Sequence, residues 1–233
     1  SAAEMDNYEE IPFSTNPKGL LDKAKVRQSK SLKEVYERIF KGQMPGVYDR
    51  GIDPELFYSS YVSTYIQRDI KELTQVADEM LFLKFLIATA ARTSQMLNLS
   101  DISRDIGISI PTAKQWLSIL VTSGIVVLLE PLHSNRLNRL IKSPNLYFLD
   151  TGLCSYLTRW QSPESLEAGA MSGAVFETYV ISEVIKGYQN QGKNPPILYY
   201  RDKDKREIDL ILEQDGQYFP IEIKKSSAPK KDA

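Results

Sequence analysis

The stretch from Glu207 to Lys224 most constrains this chain. It reads Glu-Ile-Asp-Leu-Ile-Leu-Glu-Gln-Asp-Gly-Gln-Tyr-Phe-Pro-Ile-Glu-Ile-Lys, two alternating segments around an Asp-Gly dipeptide. A two-residue hairpin loop needs positive φ at both positions, which Asp-Gly tolerates, so Asp215-Gly216 predicts a β-hairpin. That loop pairs Gln214 with Gln217, Glu213 with Tyr218, Leu212 with Phe219 and Leu210 with Ile221. Carried further, the register sets Asp209 opposite Glu222, Ile208 opposite Ile223 and Glu207 opposite Lys224. Directly opposed residues share a face, and faces alternate along each strand. One face is then Ile208, Leu210, Leu212, Phe219, Ile221 and Ile223, apolar throughout, which fixes the register. The other holds Asp209, Glu222, Glu207 and Lys224.

Opposed carboxylates repel unless something compensates them. A divalent cation does so, and carboxylate oxygens with retained water suit Mg²⁺ or Mn²⁺. Lys224 shares that face and can orient an attacking water or stabilise charge on a phosphate. Asp209 and Glu222 are therefore expected as metal ligands, and all three as catalytic residues. The alternative is a solvated sheet face with Glu207 and Lys224 as an ion pair. A one-residue slip would also part Asp209 from Glu222.

The chain has 233 residues, 42% hydrophobic and 25% charged, enough for one large domain or two small ones. Its net charge of −1 supplies no global field toward nucleic acid, so any basic surface is local. Cys154 is the one cysteine, which excludes an internal disulfide and fits a reducing cytoplasm. It reads as a small buried hydrophobe rather than a reactive thiol. The one histidine, His133, excludes multi-histidine zinc sites and argues against a Ser-His-Asp triad. No apolar run reaches the roughly 20 residues of a membrane span, and the first residues lack the stretches of a signal peptide. A cytoplasmic protein with no membrane partner is expected. A lysine-rich end just after a strand pattern points to a piece of a longer protein.

Residues 1–30 are polar and read as a linker with at most one short helix. Ser31 with Glu34 forms a capping box that opens a helix carrying Leu32, Val35, Tyr36, Ile39 and Phe40 on one face. Gly42 stops it. Asp53-Pro54 starts a second helix, with Leu56, Phe57, Tyr61, Tyr65, Ile66, Ile70 and Leu73 at helical spacing. Residues 31–77 thus form a helical region. Over residues 78–152 the order is a helix at 81–97, a Ser100-capped helix at 101–105, a Gly107 turn, a Ser109-capped helix at 111–123, and strands at 125–129 and 145–149. That is the order of a winged helix-turn-helix. After a loop of about 20 residues come a helix at 173–187 and strands at 196–201, 207–213 and 218–224. The expected class is α+β: a helical N-terminal part, a winged helix, and a partial α/β domain over 170–233.

A helix glutamate, Glu177, then Asp209, then Glu222-Ile223-Lys224 resembles the E…D…ExK signature of the PD-(D/E)xK nuclease superfamily. The resemblance implies Glu177 as a further catalytic residue and metal ligand. Further phrases are Tyr61-Val-Ser-Thr-Tyr65-Ile-Gln-Arg68-Asp69-Ile70, Leu146-Tyr-Phe-Leu-Asp150-Thr-Gly152-Leu153 and Gly173-Ala-Val-Phe-Glu177. Together they resemble the C-terminal region of prokaryotic AAA-type ATPases that carry a winged helix and a nuclease-like domain, from about residue 32 onward. The resemblance implies a P-loop domain N-terminal to this region, ATP binding there, and a truncated nuclease-like domain here. Gly187 to Asn194 nearly spells a Walker A loop. Asn194 replaces the hydroxyl residue, however, and helix precedes strand, so no ATP site is expected in this chain.

Signals for nucleic acid are modest. Residues 99–130 hold Arg104 and Lys114 against Asp101, Asp105 and Glu130, a net −1. The second helix of the helix-turn-helix offers Lys114 and Gln115, while Trp116 reads as core. His133, Arg136, Arg139 and Lys142 make a basic wing. Arg201, Lys203, Lys205 and Arg206 form a second cluster, and Lys225, Lys230 and Lys231 follow. The candidate contacts are Lys114, Gln115, Arg136, Arg139, Lys142, Arg201 and Lys225. Expected partners are DNA, the ATPase domain and further copies of the chain. Two functions stand: a Mg²⁺-dependent nuclease, or a non-catalytic DNA- or protein-binding module on a nuclease scaffold.

Overall fold

A computed structural model describes residues 1–6, 13, 15–16, 18–21, 29–48, 51–65, 79–132, 143–202, 204 and 206–225. The class is α+β. In chain order the elements are α1 (Ala2–Met5), α2 (Leu32–Lys41), a 3₁₀ turn (Pro45–Tyr48), α3 (Pro54–Thr64), α4 (Glu79–Ala90), β1 (Gln95–Met96), α5 (Leu99–Ile106), α6 (Ile110–Thr122), β2 (Val126–Leu129), β3 (Asn145–Phe148), α7 (Thr151–Leu157), α8 (Pro163–Ala168), α9 (Ser172–Gln189), β4 (Ile197–Arg201), β5 (Glu207–Gln214) and β6 (Gln217–Ile221).

Local chemistry sets the helix starts. Ser31 and Glu34 make the reciprocal capping box that opens α2. Asp53 caps α3 with Pro54 in its first turn, and Ser109 caps α6. Several expectations shift. The helix expected at 81–97 ends at Ala90, and a turn leads into β1, which pairs with β3. Asn98, not Ser100, caps α5. The stretch expected as a loop of about 20 residues contains α7 and α8, because Asp150 and Ser162 are N-caps. Ser1–Asp6, read as linker, forms a capped turn on the body of the protein. The Ala2 N–H donates to Glu183 at 2.6 Å, and Asp6 pairs with Arg38. Ile66, Arg68, Asp69, Ile70, Leu73, His133, Arg136, Arg139, Lys142, Lys203, Lys205, Lys230 and Lys231 lie outside the described residues.

The strands form two antiparallel sheets, ordered β1-β3-β2 and β4-β5-β6. A parallel bridge between Pro131 and Tyr199 joins them. There the Tyr199 N–H donates to Glu130 at 3.0 Å, and the Leu132 N–H to Tyr199 at 2.6 Å. Helix α9 covers this seam. Ile181, Val184 and Ile185 pack with Leu129 and Tyr147 of the first sheet and Ile197, Tyr199, Leu210 and Leu212 of the second. A separate core unites α3, α4, α5, α6 and α7 around Phe82, Phe85 and Trp116. Strand β3 contributes to both cores, Leu146 and Phe148 to the helical one and Tyr147 to the one under α9.

A buried joint fixes α2 to α7. A Cβ on Gly42 would stand 2.8 Å from the Gly152 Cα, so only glycine fits there. The Asp150 carboxylate accepts from the Leu153 N–H at 2.7 Å, the Gln43 N–H at 2.7 Å and the Tyr58 hydroxyl at 2.8 Å. Burial, with Asp150 beside it, drives the Tyr58 phenol far above its ordinary range.

Candidate functional site

The hairpin forms as its dipeptide dictates. Asp215 and Gly216 take φ of 52° and 75°, and the pairs Gln214–Gln217, Glu213–Tyr218, Leu212–Phe219 and Leu210–Ile221 all form. Beyond Ile221 the ladder stops, so the expected pairs Asp209–Glu222, Ile208–Ile223 and Glu207–Lys224 do not form. The Asp209 carboxylate accepts the Ile223 N–H at 2.8 Å, so a side chain takes the place of a strand partner. On the other side of β5 the register shifts. Leu198 pairs with Ile211 and Tyr200 with Ile208, leaving Asp209 and Leu210 opposite the one residue Tyr199. This bulge re-aims the strand beyond it. It accounts for two departures from strict alternation. Ile208 does not join the core that Leu210 and Leu212 build against α9. Glu207 turns toward Asn145, whose Nδ2 donates to it at 3.4 Å, and pairs with Arg201 at 3.4 Å.

Helix α9 brings Glu177 to the same place. The hydroxyl of Tyr147, wholly buried on β3, donates to Glu177 Oε1 at 2.7 Å. Burial pushes the Glu177 carboxyl up to about 7; hydrogen bonds from Tyr147 and Ser94 oppose this, and the charges of Asp209 and Glu207 add to it. Ser94 holds a φ of 61°, uncommon without a glycine. Burial likewise raises the half-buried Asp209; the Ile223 N–H and Lys224 pull it down, while Glu222 and Glu207 push it up. Glu177 and Asp209 are thus each raised in part by the charge of nearby acids.

Lys224 pairs with Glu222, not with Glu207 as the alternative strand face required. Their hydrogen bond raises the Lys224 ammonium. Both side chains are more than a third exposed, so the pair adds well under about 1 kcal/mol. Among the described residues no three His, Cys, Asp or Glu side chains converge at ligating distance. The oxygen-only chemistry of Glu177, Asp209 and Glu222 nevertheless fits a hard divalent cation.

Asn145, Tyr147 and Ser94 carried no functional signal in the sequence. Asn145 and Tyr147 stand two apart on a strand, hence on one face, but only the tertiary fold shows that α9 and β5 meet that face.

The nucleic-acid candidates scatter. Lys114 and Gln115 are exposed on α6, together with the apolar Ile110 and Val121. Arg104 pairs with Asp101 at 2.8 Å, and Arg92 with Asp105, so the cations of α5 and its neighbouring turn are matched within the domain. Arg201 is engaged by Glu207. Lys225 is engaged structurally: its Nζ donates to the Glu167 carbonyl at 2.7 Å and Ser172 Oγ at 2.9 Å, and lies over the Tyr36 ring. Among the described residues no helix is long and apolar enough to cross a membrane.

By fold and site this is an α+β protein with an acidic centre where a helix, a hairpin and a second sheet meet. It belongs to the family described as a domain of unknown function, DUF8612, whose model matches residues 32–164, more than half of the chain. Residues 172–233 match another domain of unknown function, DUF4143. Two relatives, each described as an uncharacterized protein, come from Mycobacterium bovis and Mycobacterium tuberculosis. Each is 25% identical over 177 residues, 76% of this chain and 39% of the relative. The chain thus spans about two fifths of the length of the curated relatives it matches. No solved structure matches it significantly. The first family match ends within α8 and the second begins at the start of α9, so Asn145 and Tyr147 belong to the first, and Glu177, Glu207 and Asp209 to the second.

Proposed function

We propose that this chain is the C-terminal part of an AAA-type ATPase and carries a divalent-cation site of the metal-dependent nuclease type. The observation that supports it is that two partly buried carboxylates on different elements, Glu177 and Asp209, are each made harder to ionise by burial and by neighbouring acids. A cation removes that penalty. Asp209, Glu222 and Glu177 are the residues that would hold Mg²⁺ or Mn²⁺. The bound ion supplies Lewis acidity toward a phosphate oxygen and its attacking water. Lys224 is placed to orient that water or offset phosphate charge, with Glu222 keeping it protonated. The ATPase activity belongs to a P-loop domain preceding this region. The test is nicking of supercoiled plasmid by the full-length protein with Mn²⁺: wild type nicks, and Lys224→Ala falls at least a hundredfold. Equal background from both proteins sinks the catalytic reading.

A second reading has its own support. Arg92 and Arg104 are matched by acids in place, and the outward face of α6 carries Ile110 and Val121 beside a single lysine. That face suits protein contact better than phosphate contact. In this reading the nuclease-type domain is a scaffold and the winged helix docks a protein surface of the same ATPase. Binding of a fluorescent duplex that is unchanged by Lys114→Ala and Gln115→Ala favours it.

A further inference from the structure

Helix α4 is apolar on more of its surface than the helical core uses. Phe82, Phe85 and Leu86 are buried in that core, while Met80, Leu83 and Ile87 line up at helical spacing on the opposite face. Past the first turn, Lys84 is the one charged residue of the helix. A helix that is apolar all round is normally covered all round. Here the second face borders an open cavity of about 900 Å³ between α3, α4 and α7, within the size range of ligand sites. Met80, on its wall, is 63% exposed.

The cavity is long as well as large. Glu55, Ser59 and Ser63, each four residues apart, run along its wall on α3. At the helical rise that run covers about 12 Å, and Met80 to Ile87 on α4 covers about 10 Å. Each wall thus spans about two helical turns, the length over which a docked helix inserts side chains at i, i+3 or i+4, and i+7. The charge of the walls selects among guests. Three carboxylates, Asp53, Glu55 and Glu79, stand there against one cation, Arg159. A basic helix is attracted by that balance and an acidic one is repelled.

We infer that this groove docks an amphipathic helix of a partner protein, its apolar side chains against Met80, Leu83 and Ile87 and its Lys or Arg side chains toward Asp53, Glu55 and Glu79. The groove shares no lining residue with the acidic centre on α9 and β5, so the inference does not depend on the cation-site reading.

Two fluorescein-labelled peptides of about 18 residues, long enough to be helical, test it. Both carry leucine at i, i+3, i+4 and i+7; one has lysine at the remaining positions and the other glutamate. Fluorescence anisotropy against the full-length protein should show saturable binding of the leucine-lysine peptide, at least tenfold tighter than that of the leucine-glutamate peptide. Ser59→Arg puts bulk and positive charge on an exposed position of the groove wall and should weaken that binding about tenfold. Met80→Ser removes exposed apolar surface and should weaken it several-fold. Both sites are exposed, so the thermal unfolding transition should stay in place. Absence of saturable binding overturns the inference, as does equal affinity for the two peptides or binding that survives both substitutions. Self-association of the protein that Ser59→Arg abolishes would give the groove to a second copy of the chain, and overturns it too.

Discussion

Glu177 sets the chemistry at the scale of a single residue. Its folded pKa, about 7, lies above the ordinary 4.5, so between those values the folded state holds a proton that the unfolded state releases. Stability is then greatest below about pH 4.5 and declines as pH rises toward 7. A gap of that size is worth about 3 kcal/mol at most. Urea unfolding of the cation-free protein checks it: Glu177→Gln should match wild type near pH 4.5 and exceed it by ~1–3 kcal/mol at pH 8. A difference independent of pH contradicts the burial account. Tyr147→Phe removes a donor from the buried carboxylate and should cost about 1–3 kcal/mol at pH 8, with a smaller loss at pH 5, where the carboxyl is protonated. Glu177 itself was legible in the sequence through its order before Asp209 and the Glu-Ile-Lys tripeptide. Tyr147 was not, because a strand tyrosine reads as core until its hydroxyl partner is known.

Individual elements show what a sequence specifies locally. Asp215-Gly216 determines its own turn and, through it, five strand pairs, since a tight loop with a positive-φ signature leaves no freedom in register. The bulge opposite Tyr199 has no comparable mark. It depends on how β5 meets β4, a contact between distant segments, and it redirected Glu207 and Ile208 away from strict alternation. Caps behaved in the same divided way. Ser31, Asp53 and Ser109 were legible beside strongly periodic helices, whereas Asp150 and Ser162 open helices too short to show periodicity. At the joint, Gly152→Ala places a methyl against the Gly42 backbone and should cost about 2 kcal/mol or more, read as a lowered urea midpoint with unchanged slope. A neutral Gly152→Ala would mean that α2 and α7 stand further apart than described.

Across the whole molecule, the acidic centre sits where the two family matches meet. Helix α9 spans the seam, the Tyr199 bridge joins the sheets, and Thr93 bonds Thr178 across the boundary at 2.8 Å. Loosening one half should therefore disturb the other. Thr178→Val is expected to lower stability by about 1–2 kcal/mol and to weaken Mn²⁺ binding, although residue 178 faces away from any proposed ligand role. The α+β class and the order of elements were legible because each depends on local periodicity. The composite character of the site was not, since it arises from packing between segments about 30 to 60 residues apart, as in Tyr147 with Glu177 and Asn145 with Glu207.

The central question is whether the partly buried carboxylates form a cation site, and Mn²⁺ titration of the full-length protein followed by electron paramagnetic resonance tests that directly. Wild type should show saturable loss of the free-ion signal at one site per chain, with Asp209→Ala losing at least tenfold in affinity while keeping its thermal unfolding transition. A wild-type protein that leaves the free Mn²⁺ signal unchanged, or an Asp209→Ala protein that binds as wild type does, contradicts it.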